Sequence, residues 1–384
     1  MGPGRFVVRL ATCLAVAGSA AAEPPRSPRA RDLGVPFAFG VPGRENAITD
    51  VAGVLVGHAT LVEGDSVRTG VTAILPRGRG DAARTPCFGA VFSLNGNGEM
   101  TGVHWVRESG IVEGPIALTN TNAVGVVRDA IVDYAARRWP PVGDGWTVWS
   151  LPIVAETWDG TLNDIYGHHV KAAHLVAAID AAASGPVAEG GVGGGTGMVC
   201  YEYKGGIGTA SRVLAEGSGG HTVGVLVQAN HGLRHQLRIA GLPVGLELRD
   251  GPGRKEEKGS IIIVIGTDAP LLPHQLERLC RRAALGLART GSVAGNGSGD
   301  IFIAFSTANA AIAETKGTVP LTMLPNERMG ALFEATVGAT EEAIVNALVA
   351  GRTTTGFRGS TVAGLPLDGV RAILKRHGLL EPTR

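Results

Sequence analysis

Apolar residues recur along this chain with two periods, and glycine marks most changes from one to the other. Runs with the look of strands cover Val51 to Val56, Gly70 to Leu75, Phe88 to Leu94 and Ile116 to Thr119, separated by glycine turns. Val126, Val127, Ala130, Ile131 and Tyr134 fall on one face of a helix over Val124 to Arg138. Val170, Ala173, Val176, Ala177 and Ile179 repeat that spacing over His169 to Ala183, and a strand is predicted between the two helices, over Thr147 to Ala155. After a glycine-dense segment from Glu189 to Gly208, strand-like patterns return at Thr222 to Gln228 and Pro243 to Leu248. Downstream, Leu276 to Leu287 and Leu332 to Leu348 read as helices and Ile301 to Phe305 as a strand. Mixed strands and helices of this kind predict an α/β sandwich, read here as one domain without repeats.

The sharpest boundary is the charged segment Arg249 to Gly259, RDGPGRKEEKG, which cannot bury itself and must run over the surface. Ser260 follows at once, and then Ile261 to Ile265, an unbroken apolar run expected of a strand buried on both faces. A solvated tether thus delivers a serine to the mouth of a core strand.

Composition narrows the function. The chain has 384 residues, 44% of them hydrophobic, 58 glycines, 18% charged residues and a formal net charge of +1. No clustered basic face is announced, which argues against nucleic acid or an anionic membrane as partner and for a small substrate. Arg5 and Arg9 precede the apolar stretch Leu10 to Ala17, and Ala20 to Ala22 complete the pattern of a signal peptide over 1–22, cleaved after Ala22. The alternative is a short N-terminal helix that stays in place; the stretch is too short to span a bilayer. Export to the periplasm or medium is therefore expected. Cys87, Cys200 and Cys280 then remain, an odd number at wide spacing, expected to act as small buried residues, although one pair could oxidise in an exported protein.

A Gly-Ser pair before a strand is by itself a common loop closure. Its chemical reading is self-cleavage at Gly259-Ser260. Glycine tolerates distorted backbone geometry before a nucleophile, and cleavage would free an α-amino group of reference pKa about 7.7 to 8.0, able to act as general base beside its own hydroxyl. Gly191 to Gly197 lacks the Lys-Ser/Thr of a nucleotide loop and reads as tight packing or a wall. The histidines at 168, 169, 174, 231 and 235 lack an HExxH or carboxylate-rich setting, so no metal is assigned.

Gly259-Ser260 with Ile261 to Leu271, Asn296 to Asp300 and Ser306 to Asn309 resembles the family of L-aminopeptidase D-amidase/D-esterases and β-peptidyl aminopeptidases. Further matches are Asn46 to Val51, Leu118 to Thr121, Glu156 to Gly160, Leu162 to Asp164, Gly193 to Met198 and Lys204 to Arg212, so the likeness covers nearly all of 23–384. The resemblance implies a four-layer αββα sandwich of the self-processing N-terminal-nucleophile type, cut into 23–259 and 260–384. It implies an oligomer of two-chain protomers, often a tetramer. It also implies release of N-terminal residues from peptides, amides or esters without a cofactor. By position, Ser260 would be the nucleophile, Ser298 and Asp300 its orienting network, Asn230 an oxyanion donor and Glu156 the partner of the substrate ammonium. Relatives commonly carry glutamate at the place of Asp300 and tyrosine at that of Trp158. Aspartate is one methylene shorter, and indole, which has no acidic hydroxyl, would reshape the substrate site instead.

Taken without the resemblance, Asp300 reads equally as a strand-start turn residue, Asn230 as a turn before His231-Gly232, and Glu156 as a surface charge. Two other functions remain open at this level: an acyltransferase of the ornithine acetyltransferase type, which typically uses threonine as nucleophile, and an inactive exported binding protein on the same scaffold.

Overall fold

The computed structural model describes residues 27–80, 84–139, 151–248, 256, 259–314 and 316–381. The expected leader over 1–22 and the charged segment 249–259, except Glu256 and Gly259, lie outside the described residues. In chain order the first half supplies β1 (Leu55–Glu63), β2 (Val67–Leu75), β3 (Cys87–Gly96), α1 (Val103–Ser109), β4 (Ile111–Val112), β5 (Ile116–Asn120), α2 (Val124–Arg138), β6 (Ile153–Thr157) and α3 (Ala172–Ala181). The second half supplies the ribbon β7 (Val199–Cys200) and β8 (Tyr203–Lys204), then β9 (Gly206–Val213), β10 (Thr222–Asn230), α4 (Val244–Glu247), β11 (Ser260–Thr267), α5 (Pro273–Arg289), β12 (Gly299–Ser306) and α6 (Gly330–Ala350). A ribbon of β13 (Thr354–Thr355) and β14 (Thr361–Val362) and helix α7 (Leu367–Arg376) close the described chain.

One sheet has four strands in the order β1-β2-β5-β6, the other six in the order β4-β3-β12-β11-β10-β9. All neighbours are antiparallel except β5 with β6 and β11 with β12. Three apolar layers hold them. Val71, Ala73, Ala117 and Val154 of the small sheet pack on Val127, Ile131, Leu175 and Ile179 of α2 and α3. Ile261, Ile263, Ile265, Phe302 and Ala304 of the large sheet pack on Leu276, Leu279, Ala339, Ala343 and Ala347 of α5 and α6. Between the sheets, Ile74, Ile116, Leu118 and Ile153 meet Leu226, Ile262, Val264, Ile303 and Phe305. Alternate residues of β11 therefore feed two different cores, which is why its sequence shows no polar alternation. The architecture is the four-layer αββα sandwich expected.

Several boundaries differ from the sequence reading. The helix over Val124–Arg138 is found with those bounds, but Val51 to Val56 is not a strand: Val54 N–H donates to Val51 O (3.1 Å) in a turn through Gly53, whose φ is 86°, and β1 begins at Leu55. Pro243 to Leu248 also departs from the strand pattern. It forms the single helical turn α4, closed by Leu248 N–H to Val244 O (3.0 Å), with both apolar ends in the core. Of the strand expected over Thr147 to Ala155, residues 147–150 are outside the described residues, and β6 runs on to Thr157. Cys87, Cys200 and Cys280 are buried.

Candidate active site

The polar residues gather where the strands end. Asn230, the last residue of β10, pairs directly with Ser260, the first of β11, and Ser260 pairs in turn with Gly299 at the start of β12. Partners directly opposite on neighbouring strands share a face. Ile262 and Leu226 of those strands lie in the layer between the sheets, so by the two-residue period Ser260 and Asn230 face the same gap, at its open end. Ser260 is 7% exposed, and its Oγ accepts a hydrogen bond from Gly299 N–H at 3.1 Å. A donor already aimed at the hydroxyl is suited to receive a serine oxygen that develops charge.

Asn230 is held at both ends. Its Oδ1 accepts Val199 N–H (2.7 Å) and its Nδ2 donates to Trp158 O (3.0 Å). The second Nδ2 hydrogen is what an oxyanion could use. Ser298 Oγ donates to Asp300 Oδ1 at 2.7 Å, and both residues are fully buried. They flank Gly299, so their pair fixes the segment that presents the Gly299 N–H, and β12 shifts register against β3 between Asp300 and Ile301. The shorter aspartate thus reaches its serine.

Glu156 belongs to the other sheet. The chain leaving β3 runs beside β6, with Met100 bridging Ala155 and Thr101 N–H donating to Val154 O (2.9 Å). This carries the Glu99 N–H to Glu156 Oε1 (2.9 Å), while the Thr121 hydroxyl donates to Glu156 Oε2. Glu156 is only 4% exposed, and burial pushes its carboxyl above the ordinary glutamate range against the pull of those donors. A cleft of about 620 Å³ connects Glu156 and Thr121 with Trp158, Gly259, Ser260 and Gly297. Ser260 and the buried carboxylate therefore share one cavity. A substrate ammonium would restore a charged partner to that carboxylate.

Trp158 is 43% exposed and its ring closes over Gly160, where a Cβ would lie 2.7 Å from Cε2. Its contact with the site is its carbonyl, bonded to Asn230, together with the wall its indole forms. Next to it Asp159 is buried with Asn163 Nδ2 donating to it (3.0 Å), and burial pushes its carboxyl up to about 7. The glycine-rich segment is packing, as read: a Cβ on Gly194 would collide with Gln228 and the Leu118 carbonyl. Its far end is tied by the buried Lys204, whose Nζ donates to Gly195 O (3.1 Å), Met198 O (3.1 Å) and Gly205 O (2.8 Å). Beside Asn230, burial holds the His231 imidazole down to about 3, so it is neutral at ordinary pH.

All of Ser260, Asn230, Ser298, Asp300, Glu156 and Trp158 thus lie at one end of the sandwich. The Gly299 N–H, Thr121 and the Glu99 N–H were not singled out from sequence. Main-chain donors leave no residue signature, and Thr121 appeared only within a matched motif.

Residues 46–362 match peptidase family S58. The beta-peptidyl aminopeptidase BapA of Sphingosinicella microcystinivorans is 51% identical, over 96% of each chain. Among solved structures, a Burkholderia sp. beta-aminopeptidase superposes with a TM-score of 0.84 at 53% identity, over 91% of this chain and 99% of that one. The l-aminopeptidase d-ala-esterase/amidase of Ochrobactrum anthropi, described as a prototype for the serine aminopeptidases and a variant of the Ntn hydrolase fold, has a TM-score of 0.84 at 45% identity, over 92% of this chain and 99% of that one. With the serine-centred cleft described above, these likenesses mean that the chain belongs to peptidase family S58 and is a serine aminopeptidase of the Ntn-hydrolase type.

Proposed function

We propose that the chain is exported, cuts itself between Gly259 and Ser260, and works as 23–259 and 260–384 together on small peptides, amides or esters with a free amino terminus, β-aminoacyl ones included. The observation that carries this is the seat of Ser260. It opens a strand buried on both faces, its hydroxyl shares a cleft with Glu156, and the residue before it is a glycine with no room for a side chain. In self-cleavage Ser260 Oγ bonds to the Gly259 carbonyl carbon, the Gly259–Ser260 C–N bond breaks, and the hydroxyl proton passes to the departing nitrogen. Water then hydrolyses the ester, leaving a Gly259 carboxylate, a free hydroxyl and the Ser260 amine. In turnover that amine takes the hydroxyl proton and returns it to the leaving group, the Asn230 amide steadies the oxyanion, and Glu156 holds the substrate ammonium.

Substrates with a β-aminoacyl end are supported by what the similar proteins are called. Export is supported by the pattern of Arg5, Arg9 and Leu10 to Ala22, and assembly into a homo-oligomer, a tetramer for instance, by the family resemblance. Intact-mass analysis tests the central step. The parent should give two fragments meeting at Gly259/Ser260 and the Ser260→Ala variant a single chain; an uncut parent that still hydrolyses β-alanyl p-nitroanilide would refute self-processing.

A further inference from the structure

Gly259 rests against a wall of main chain. An L-configured Cβ there would penetrate the Asn230 carbonyl oxygen and lie 2.7 Å from His231 Cα and 2.9 Å from the Asn230 carbonyl carbon. Both wall residues are buried and anchored: Asn230 Oδ1 by Val199 N–H (2.7 Å), the His231 carbonyl by Tyr201 N–H (2.6 Å). Main-chain atoms so held cannot rotate aside as a side chain would.

On the reading of Ser260 as nucleophile, the Gly259 acyl group becomes esterified to Ser260 Oγ during self-processing. The residue released from a substrate is esterified to the same atom in turnover. These two acyl-enzymes differ only in what the acyl α-carbon carries, so the seat of the Gly259 α-carbon is a template for that of the substrate. Of the three directions open at that carbon, the Asn230–His231 peptide closes one.

We propose that this wall makes the enzyme demand a hydrogen on the acyl α-carbon. A β-aminoacyl group with an unsubstituted α-carbon always has one to turn toward the wall, and its branching sits on the next carbon, beyond the contact. An α-aminoacyl group that bears a side chain has a single α-hydrogen and so a single fitting orientation, which fixes where its ammonium points. A quaternary α-carbon has none and is refused. In Gly259→Ala the chain itself fixes the nitrogen, the α-carbon cannot turn, and the methyl group must meet the wall.

The test compares p-nitroanilides of two isomers, 3-amino-3-methylbutanoic and 3-amino-2,2-dimethylpropanoic acid, with β-alanine as reference, on the self-processed enzyme. Their alkaline hydrolysis without enzyme gives the intrinsic ratio. Beyond that ratio, kcat/KM for the 2,2-dimethyl isomer should fall at least about 20-fold below its 3-methyl partner, and Gly259→Ala should remain one chain by intact mass. A smaller ratio, or clean processing of Gly259→Ala, overturns the wall. Loss of β-alanyl hydrolysis in Ser260→Ala is a separate readout, so the nucleophile reading stands or falls independently.

Discussion

Gln228 and Asn230 carry the same amide, stand two residues apart on β10 and face the same gap between the sheets. Gln228 lies deep in it. Its Nε2 donates to Thr119 O and to Thr157 Oγ1, both at 2.9 Å, so both hydrogens are spent on joining the two sheets. Asn230 stands at the mouth, gives one hydrogen to Trp158 O and keeps the other beside Ser260. Position along β10 separates the two amides: the first spends both hydrogens on buried partners, while the second, at the strand end, lines a small pocket with Trp158, His231 and Gly259 next to the Ser260 cleft.

Three substitutions sharpen that contrast. Asn230→Ala should lower kcat about 10²- to 10³-fold for the processed enzyme, the usual cost of one oxyanion donor, and should also lower the melting temperature because Val199 N–H and Trp158 O lose their partner; an unchanged kcat would remove Asn230 from the chemistry. Glu156→Gln keeps the shape and the Thr121 contact region but removes the charge, and should raise KM about tenfold or more. Because burial holds the Glu156 carboxyl above its ordinary range, its protonated form persists to higher pH in the free enzyme. Wild-type kcat/KM should therefore climb with pH both as the Glu156 carboxylate forms and as the Ser260 amine loses its proton, and only the Glu156 contribution should vanish in Glu156→Gln; an acid side of the profile identical in the two enzymes would assign it wholly to another group. Gln228→Leu, the smallest effect, should cost about 1–3 kcal/mol of stability by leaving Thr119 O and the Thr157 hydroxyl without their amide, and denaturant unfolding should show it while KM stays within about twofold.

Where packing dictates pattern, the sequence was readable. Val124–Arg138 and the Ile261 to Ile265 run are set by which residues must be apolar, and both were found as expected. Pro243 to Leu248 misled because a single helical turn with two buried ends shows the same apolar content as a short strand. The site was legible through Ser260, whose position after a charged tether and before a core strand is unusual, and through motif resemblance for Asn230, Ser298, Asp300 and Glu156. It was not legible in the Gly299 and Glu99 N–H groups, since any residue supplies them, nor in the role of Trp158, whose carbonyl rather than its ring meets Asn230.

The most direct test of Ser260 as nucleophile is mass spectrometry of the processed enzyme after inactivation by an aminoalkyl arylsulfonyl fluoride, whose ammonium matches Glu156. One sulfonyl group on the peptide that begins with Ser260, appearing in step with loss of activity, is the predicted result; full inactivation with the label on Ser298, or on any residue other than Ser260, would contradict it.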